Sequence, residues 1–169
     1  YNKRIFRTKI AEREVKKTEK IIIGYVGSLY KGRGIELIIE LAENLPNFLF
    51  LVVGGMKEHV DYYSKQFIRS SNISFIGFVP NNEVARYYQI FDIVLMPYTD
   101  KVEIDGSGNS SEYMSPLKMF EYLASGLPII ATDLPVLREI LINGHNAILV
   151  NNSIDDWILA VNRLINDKS

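Results

Sequence analysis

Cysteine is absent from these 169 residues, which excludes a disulfide framework and thiolate metal sites together. The same absence fits a reducing compartment. Histidine is scarce. The chain has only His59 and His145, neither has an acidic or thiol partner evident in the sequence, and both read as surface or structural residues. No histidine or carboxylate spacing suggests zinc, and Asp92, Asp105 and Asp133 are too scattered to form a paired-carboxylate site. No apolar run approaches the roughly 20 residues of a membrane span, and there is no signal peptide. The first residue is Tyr1 rather than Met, as expected of a piece cut from a longer protein. An excess of one charge is missing too: 19 basic residues face 20 acidic ones, giving no global reason to expect nucleic acid. That balance hides an asymmetry, since residues 1–20 carry a net +5 and the remainder a net −6. A basic lead-in suits a solvated linker first, and contact with anionic lipid or a neighbouring domain second.

What is present is a single domain's length with an ordinary globular composition, 47% hydrophobic and 23% charged. Short apolar runs alternate with amphipathic stretches. "KIIIGYVG", "NFLFLVVGG", "NISFIGFV", "DIVLMPY", "LPIIATD" and "HNAILV" read as strands. Between and after them, "GIELIIELAENL", "KEHVDYYSKQFIRS", "PNNEVARYYQIF", "SPLKMFEYLASG", "PVLREILING" and "SIDDWILAVNRLI" read as helices. Asn81 or Asn82 is expected to cap the third helix. The alternation predicts an α/β fold, with a parallel sheet apolar on both faces and helices covering each. Ligands of such sheets bind beyond the carboxyl ends of the strands, so residues 27–34, 54–57, 77–82, 97–116 and 132–135 are where chemistry is sought. The segment "TDKVEIDGSGNSSEYM" is the one long irregular stretch, and loops of that length are more often functional than not.

The first of these segments, "GSLYKGRG", comes within two substitutions of the phosphate-binding pattern G-x-x-x-x-G-K-[ST]. Arg33 and Gly34 occupy the Lys and Ser/Thr places. Arginine can clamp a phosphate with two bonds, but glycine offers magnesium no side-chain ligand, so a Walker-type ATPase is not expected. The dinucleotide fingerprint G-x-G-x-x-G is also missing. Gly27, Ser28, Lys31 and Arg33 then form a flexible turn at a ligand-binding edge, although a plain glycine-rich connection would use the same residues.

In "YMSPLKMFEYLASG", Ser115 suits an N-cap and Pro116 the first helical position. The helix start offers free N–H groups from Leu117 and Lys118 and a favourable dipole to an anion, and Lys118 adds its own charge. Glu121, about a turn further, would repel phosphate but could accept from ribose hydroxyls; a solvated helix charge is the alternative. In "GFVPNN", Phe78 and Val79 could pack on a flat ring while backbone groups read its edge, or they could simply finish a core strand. Together the three segments supply diphosphate donors, a ribose acceptor and a base platform, without a nucleophile and its general base.

The series "YVGSLYKGRGIELIIELAENLP", "FLVVGG", "ISFIGFVPNNEVARYYQIFDIVLMPY" and "MSPLKMFEYLASGLPIIATDLPVLREILINGHNAILV" resembles the C-terminal domain of the GT-B-fold glycosyltransferases of family 4, also called glycosyltransferase group 1. The resemblance runs from about residue 21 to 165. It implies a Rossmann-like domain over residues 21–169, the C-terminal half of a GT-B fold, behind an interdomain lead-in of residues 1–20. By the same resemblance, the family's diphosphate-binding Arg and Lys fall on Ser28 and Arg33, with Lys31 a candidate substitute for the lost charge. Its base-contacting turn falls on Phe78 and Val79 with Asn81 beyond, and its ribose-binding Glu on Glu121. The family's first Glu, which meets the donor sugar, falls on Tyr113, with Glu112 one residue out of register. Backbone groups from Met114 through Ser115 and Pro116 to Leu117 would meet sugar and phosphate.

The implied activity is transfer of a sugar from a UDP- or GDP-sugar to a glycan or lipid-linked acceptor, with retention and with neither metal nor cofactor. Arg33, Lys118 and Glu121 carry the chemistry on this side. The acceptor site belongs to an N-terminal domain that this chain lacks, so the domain alone is expected to bind its donor and hardly turn over. Family habit implies work in the cytoplasm, including at the inner face of a membrane. Two rival readings are a nucleotide-sugar epimerase-like domain and a degenerate, non-catalytic GT-B domain; the departures at Ser28 and Tyr113 motivate the second. A flavodoxin-like receiver is opposed by "IIIGYVGS", which lacks acidic residues at the strand end.

Overall fold

The computed structural model describes residues 20–66, 70–99 and 117–166. The lead-in and the segment 100–116 fall outside this range, and with them the expectations placed on Glu112, Tyr113, Met114, Ser115 and Pro116. Six strands are described: β1 (Ile22–Val26), β2 (Leu49–Val53), β3 (Ile73–Gly77), β4 (Ile93–Met96), β5 (Ile129–Thr132) and β6 (Ile148–Val150). They alternate with α1 (Ile35–Asn44), α2 (Lys57–Gln66), α3 (Asn81–Tyr88), α4 (Leu117–Ser125), α5 (Pro135–Arg138) and α6 (Ile154–Asn166). All pairings are parallel and the spatial order is β3-β2-β1-β4-β5-β6. Strand order therefore grows outward in both directions from the β1/β4 boundary. Right-handed crossovers then put α1 and α2 on one face and α4 and α5 on the other, which is the Rossmann-like arrangement.

The central strands are apolar, apart from Thr132 at the end of β5, because both faces are covered. All five residues of β1 and all four of β4 and β5 are buried. The expectation of two apolar faces does not hold at the edges. β3 alternates buried Ile73 with exposed Ser74, and β6 is half-buried along its length. Each edge strand has a neighbour on one side only, so cover is incomplete there. The third helix also departs from expectation: Pro80 is its N-cap, without a side-chain cap bond, and Asn81 and Asn82 are helical. Proline fixes φ near the value a chain needs on entering a helix, so the Asn side chains are not required as caps.

Buried Asn72 ties one helix end to the sheet. Its Nδ2 donates to the carbonyls of Ala42 and Leu45 at 3.1 Å and of Phe48 at 2.9 Å, capping the end of α1 and the turn after it. Trp157 of α6, fully buried, fills the core beside β5 and β6.

Candidate functional site

β1 and β4 pair only at Ile23 with Ile93 and Gly24 with Val94. Past Gly24 they diverge, and a crevice opens at the topological switch point. Tyr122 of α4 closes its floor. Its hydroxyl accepts the Val26 N–H at 2.9 Å and lies 3.4 Å from the Leu95 carbonyl and 3.5 Å from that of Val26. A buried N–H that lost its strand partner is thus satisfied by a side chain.

The loop after β1 is held from several sides. The Gly27 N–H donates to the Val53 carbonyl at 2.9 Å, the Tyr25 hydroxyl to the Ser28 carbonyl at 2.8 Å, and the Thr99 N–H to the Gly32 carbonyl at 3.0 Å. The loop ends at Gly34, the N-cap of α1, where φ is +76° and a Cβ would stand 1.8 Å from the Pro97 carbonyl oxygen. Only glycine fits that closeness and that φ. Burial pushes the hydroxyl pKa of Tyr25 well above its ordinary value, so this prop stays neutral.

These loops enclose an open cleft of about 250 Å³. Gly27, Ser28 and Tyr30 form one side, Phe78, Val79 and Asn81 the other, with Gly54, Gly55, Met56 and His59 between them and Lys118 at the end. Of the residues the sequence singled out, Gly27, Ser28, Phe78, Val79, Asn81 and Lys118 come together here. Phe78 is 80% exposed, a flat ring turned outward rather than the end of a core strand. Leu117 opens α4 and is 67% exposed, so its side chain is not held in the core. Lys31 lies on the exposed crest of the loop. Neither Arg33 nor Glu121 is among the lining residues; Glu121 reaches the cleft only through its bond to Lys118. The Arg33 guanidinium carbon sits 5.1 Å from the centroid of the buried Tyr98 ring, and its Nε is shielded without a hydrogen-bond partner. Arg33 thus ties the β1 loop to Tyr98 through a cation–π contact.

Glu121 is not a solitary helix charge. Its Oε2 accepts from Lys118 Nζ at 2.8 Å and from the Tyr88 hydroxyl at 2.7 Å. Burial raises the Glu121 pKa, but the bonds from Lys118 and Tyr88 outweigh it, so the carboxyl titrates below its ordinary value of 4.5. Tyr88 moves the other way: burial, and then the bond to Glu121, raise its hydroxyl pKa. A folded-state pKa below the unfolded one means that the carboxylate's stabilisation is complete above the ordinary value. It is lost as pH falls through the folded value. An NMR titration of the side-chain carboxyl should place the Glu121 midpoint below 4.5, and Lys118→Met should raise it. A midpoint at or above that value would contradict the pairing.

Tyr30, Gly54, Gly55 and Met56 were not marked individually by the sequence, although 27–34 and 54–57 were flagged as strand-end segments. The signal for them was the glycine pair closing β2. Gly54 has φ +112°, and a Cβ there would lie 2.2 Å from the Gly27 carbonyl oxygen, so the second loop packs backbone-to-backbone on the first. His59, expected to be a surface or structural residue, lies partly buried on the cleft wall. His145 is exposed. Asp133 forms a two-bond pair with Arg138, Nε to Oδ1 at 2.5 Å and Nη2 to Oδ2 at 2.7 Å, at a separate groove beside β6.

A parallel sheet of this order, with a cleft at its switch point built from a glycine loop, an aromatic turn and a helix start, defines the Rossmann-like half of a GT-B fold. The model of the family described as glycosyl transferases group 1 matches residues 6–169, and the chain belongs to that family. Among curated relatives, a Bacillus subtilis (strain 168) protein named as a teichuronic acid biosynthesis glycosyltransferase, TuaH, is 31% identical over 117 residues, 69% of this chain and 28% of the relative. The processive diacylglycerol alpha-glucosyltransferase of Acholeplasma laidlawii is 25% identical over 142 residues, 79% of this chain and 39% of the relative. This chain therefore spans well under half the length of these relatives. Among solved structures, Anabaena HepE in complex with UDP superposes with a TM-score of 0.75 at 16% identity, over 99% of this chain and 43% of that one. TarM superposes with a TM-score of 0.64 at 20% identity, over 95% and 35%. At these identities the superpositions speak for the fold.

Proposed function

We propose that this domain is the donor-binding half of a glycosyltransferase that takes a sugar from a nucleoside-diphosphate sugar, with UDP as the nucleotide. The observation that carries the reading is the cleft itself. It joins the β1 loop, the Phe78–Val79 turn and the start of α4 on one surface at the sheet's switch point. In this reading the N–H groups opening α4, the Lys118 charge and the β1 loop receive the diphosphate. Phe78 stacks on the base, with Val79 and Asn81 at its edge. Glu121 has spent two of roughly four acceptor positions on Lys118 and Tyr88, leaving capacity for a ribose hydroxyl. That HepE was solved with UDP supports the choice of base.

Chemistry at this half is stabilisation of the departing diphosphate by groups already in place before reaction. Those groups are cationic and dipolar, so the leaving group needs no resident metal or cofactor. Retention of configuration is part of the same proposal. The acceptor is a glycan or a lipid-linked molecule, as the names of TuaH and the diacylglycerol glucosyltransferase suggest, and is held by an N-terminal domain beyond this chain. Residues 1–20 lead in from that domain, and 21–169 form the donor domain. Alone it binds and hardly turns over. The setting is the cytoplasm, at the inner face of a membrane when the acceptor is a lipid; no helix among the described residues is long and apolar enough to cross one.

Calorimetric titration with UDP, GDP and ADP tests this reading. Wild type should bind UDP, and Glu121→Ala and Lys118→Ala should each weaken it roughly tenfold, the scale of one hydrogen bond to a charged group. Arg33→Ala should weaken it less, through a looser loop. A second reading, a non-catalytic GT-B domain, draws on Ser28 standing where the family has Arg and on Arg33 being engaged with the Tyr98 ring. Failure of every nucleotide to bind would favour it.

A further inference from the structure

His59 is a polar ring in the cleft that the reading above leaves without a task. It is the third residue of α2, and its ring meets that of Tyr30 edge-on, with centroids 5.1 Å apart and planes at 82°. Nδ1 is closed off from solvent and has no hydrogen-bond partner. A neutral imidazole has one N–H and one lone pair to place. A buried N–H with nothing to bond is a strong donor wasted, so the proton belongs on Nε2, the ring nitrogen that is not shut away without a partner. The Tyr30 contact fixes the ring plane, so this donor is aimed in advance of any ligand.

Its place along the cleft identifies what it would meet. The diphosphate end lies at the β1/β4 crevice beside Lys118, whereas α2 follows β2, on the other side of β1 from β4. The end of β2 is laced to the base turn: the Gly54 N–H donates to the Gly77 carbonyl at 2.8 Å, one residue before Phe78. Val60, next to His59 in the chain, is the side chain nearest a Cβ built at Gly77, at 3.9 Å. The first turn of α2 therefore stands over the nucleoside half of the cleft.

We infer that His59 is a specificity-determining residue of the donor site, donating from Nε2 to a ring carbonyl of the base and so favouring uracil over adenine, which has no carbonyl. The inference rests on the donor-binding reading above. A carbonyl-bearing base satisfies the donor, and adenine leaves it unmade in a partly desolvated cleft, which is the kind of loss that separates similar ligands most sharply.

The test is calorimetric titration of the protein and of His59→Phe and His59→Gln with UDP and ADP. Phenylalanine keeps the contact with Tyr30 and removes the donor; glutamine returns an N–H. Wild type should prefer UDP. His59→Phe should lose roughly five- to tenfold in UDP affinity, the scale of one neutral hydrogen bond, with ADP binding unchanged and the melting temperature of the free protein preserved. His59→Gln should recover part of the loss. Unchanged UDP affinity in His59→Phe, an equal loss for both nucleotides, or a wild type preferring ADP would each overturn the inference while leaving donor binding intact. A wild type that binds neither nucleotide would overturn the donor-binding reading and this inference with it.

Discussion

Gly34→Ala should cost roughly 3 kcal/mol or more of folding stability, combining the left-handed penalty for a residue with a Cβ and the overpacking of a closed contact. The new Cβ would stand 1.8 Å from the Pro97 carbonyl oxygen, and backbone cannot step aside as a flexible side chain can. Either α1 must start elsewhere or the chain after β4 must retreat. Both options pull apart the two walls of the switch-point crevice. Thermal unfolding should therefore show a drop of about 10 °C, at the few degrees per kcal/mol typical of domains this size. Nucleotide affinity should fall as well, because the β1 loop loses its anchor. A variant that melts within a degree or two of wild type would show that the loop and the β4 exit are not in the contact described.

Tyr122 should produce a graded pair of effects. Tyr122→Phe keeps the packing of the fully buried ring but leaves the Val26 N–H unpaired in the core, a cost of about 1–3 kcal/mol. Tyr122→Ala removes the ring too and should cost about 3–5 kcal/mol, as aromatic-to-alanine changes in cores do. The hydroxyl is the more informative half, because it bridges strands that have already diverged. Denaturant titration of both variants gives the two costs separately. The bridging role would be contradicted if Tyr122→Phe matched wild type while Tyr122→Ala was crippled, since packing alone would then explain the residue.

Much of this architecture could be read from local patterns. All six strands and the helices between them follow from the apolar runs, because parallel strands covered on both faces have no polar alternation to obscure them. The glycine loop, the Phe78–Val79 turn and Lys118 were legible for a related reason: in such a sheet the strand ends define the ligand edge. What escaped depends on residues far apart in the chain. Tyr122 and Val26 are 96 positions apart, and nothing local marks the tyrosine as a strand's missing partner. Asn72 reads as one more polar residue in a turn until its three carbonyl acceptors are in view. Arg33 carries the right charge at the right spacing for a phosphate clamp, yet the aromatic surface of Tyr98 from the next loop captures it. His59 has no sequence neighbour to give it meaning; a glycine pair bends the chain so that it meets Tyr30. The edge strands misled in the opposite direction, since an apolar run says nothing of how many neighbours the strand has.

The central claim is that a nucleoside diphosphate occupies the cleft at the switch point, and amide NMR during a UDP titration tests it most directly. The account predicts saturable shifts at Gly27, Ser28, Gly54, Gly55, Val79, Asn81 and Lys118, with Asn143, Asn151 and Arg163 in the groove beside β6 unmoved. Shifts confined to that second groove, or none at saturating UDP, would contradict it.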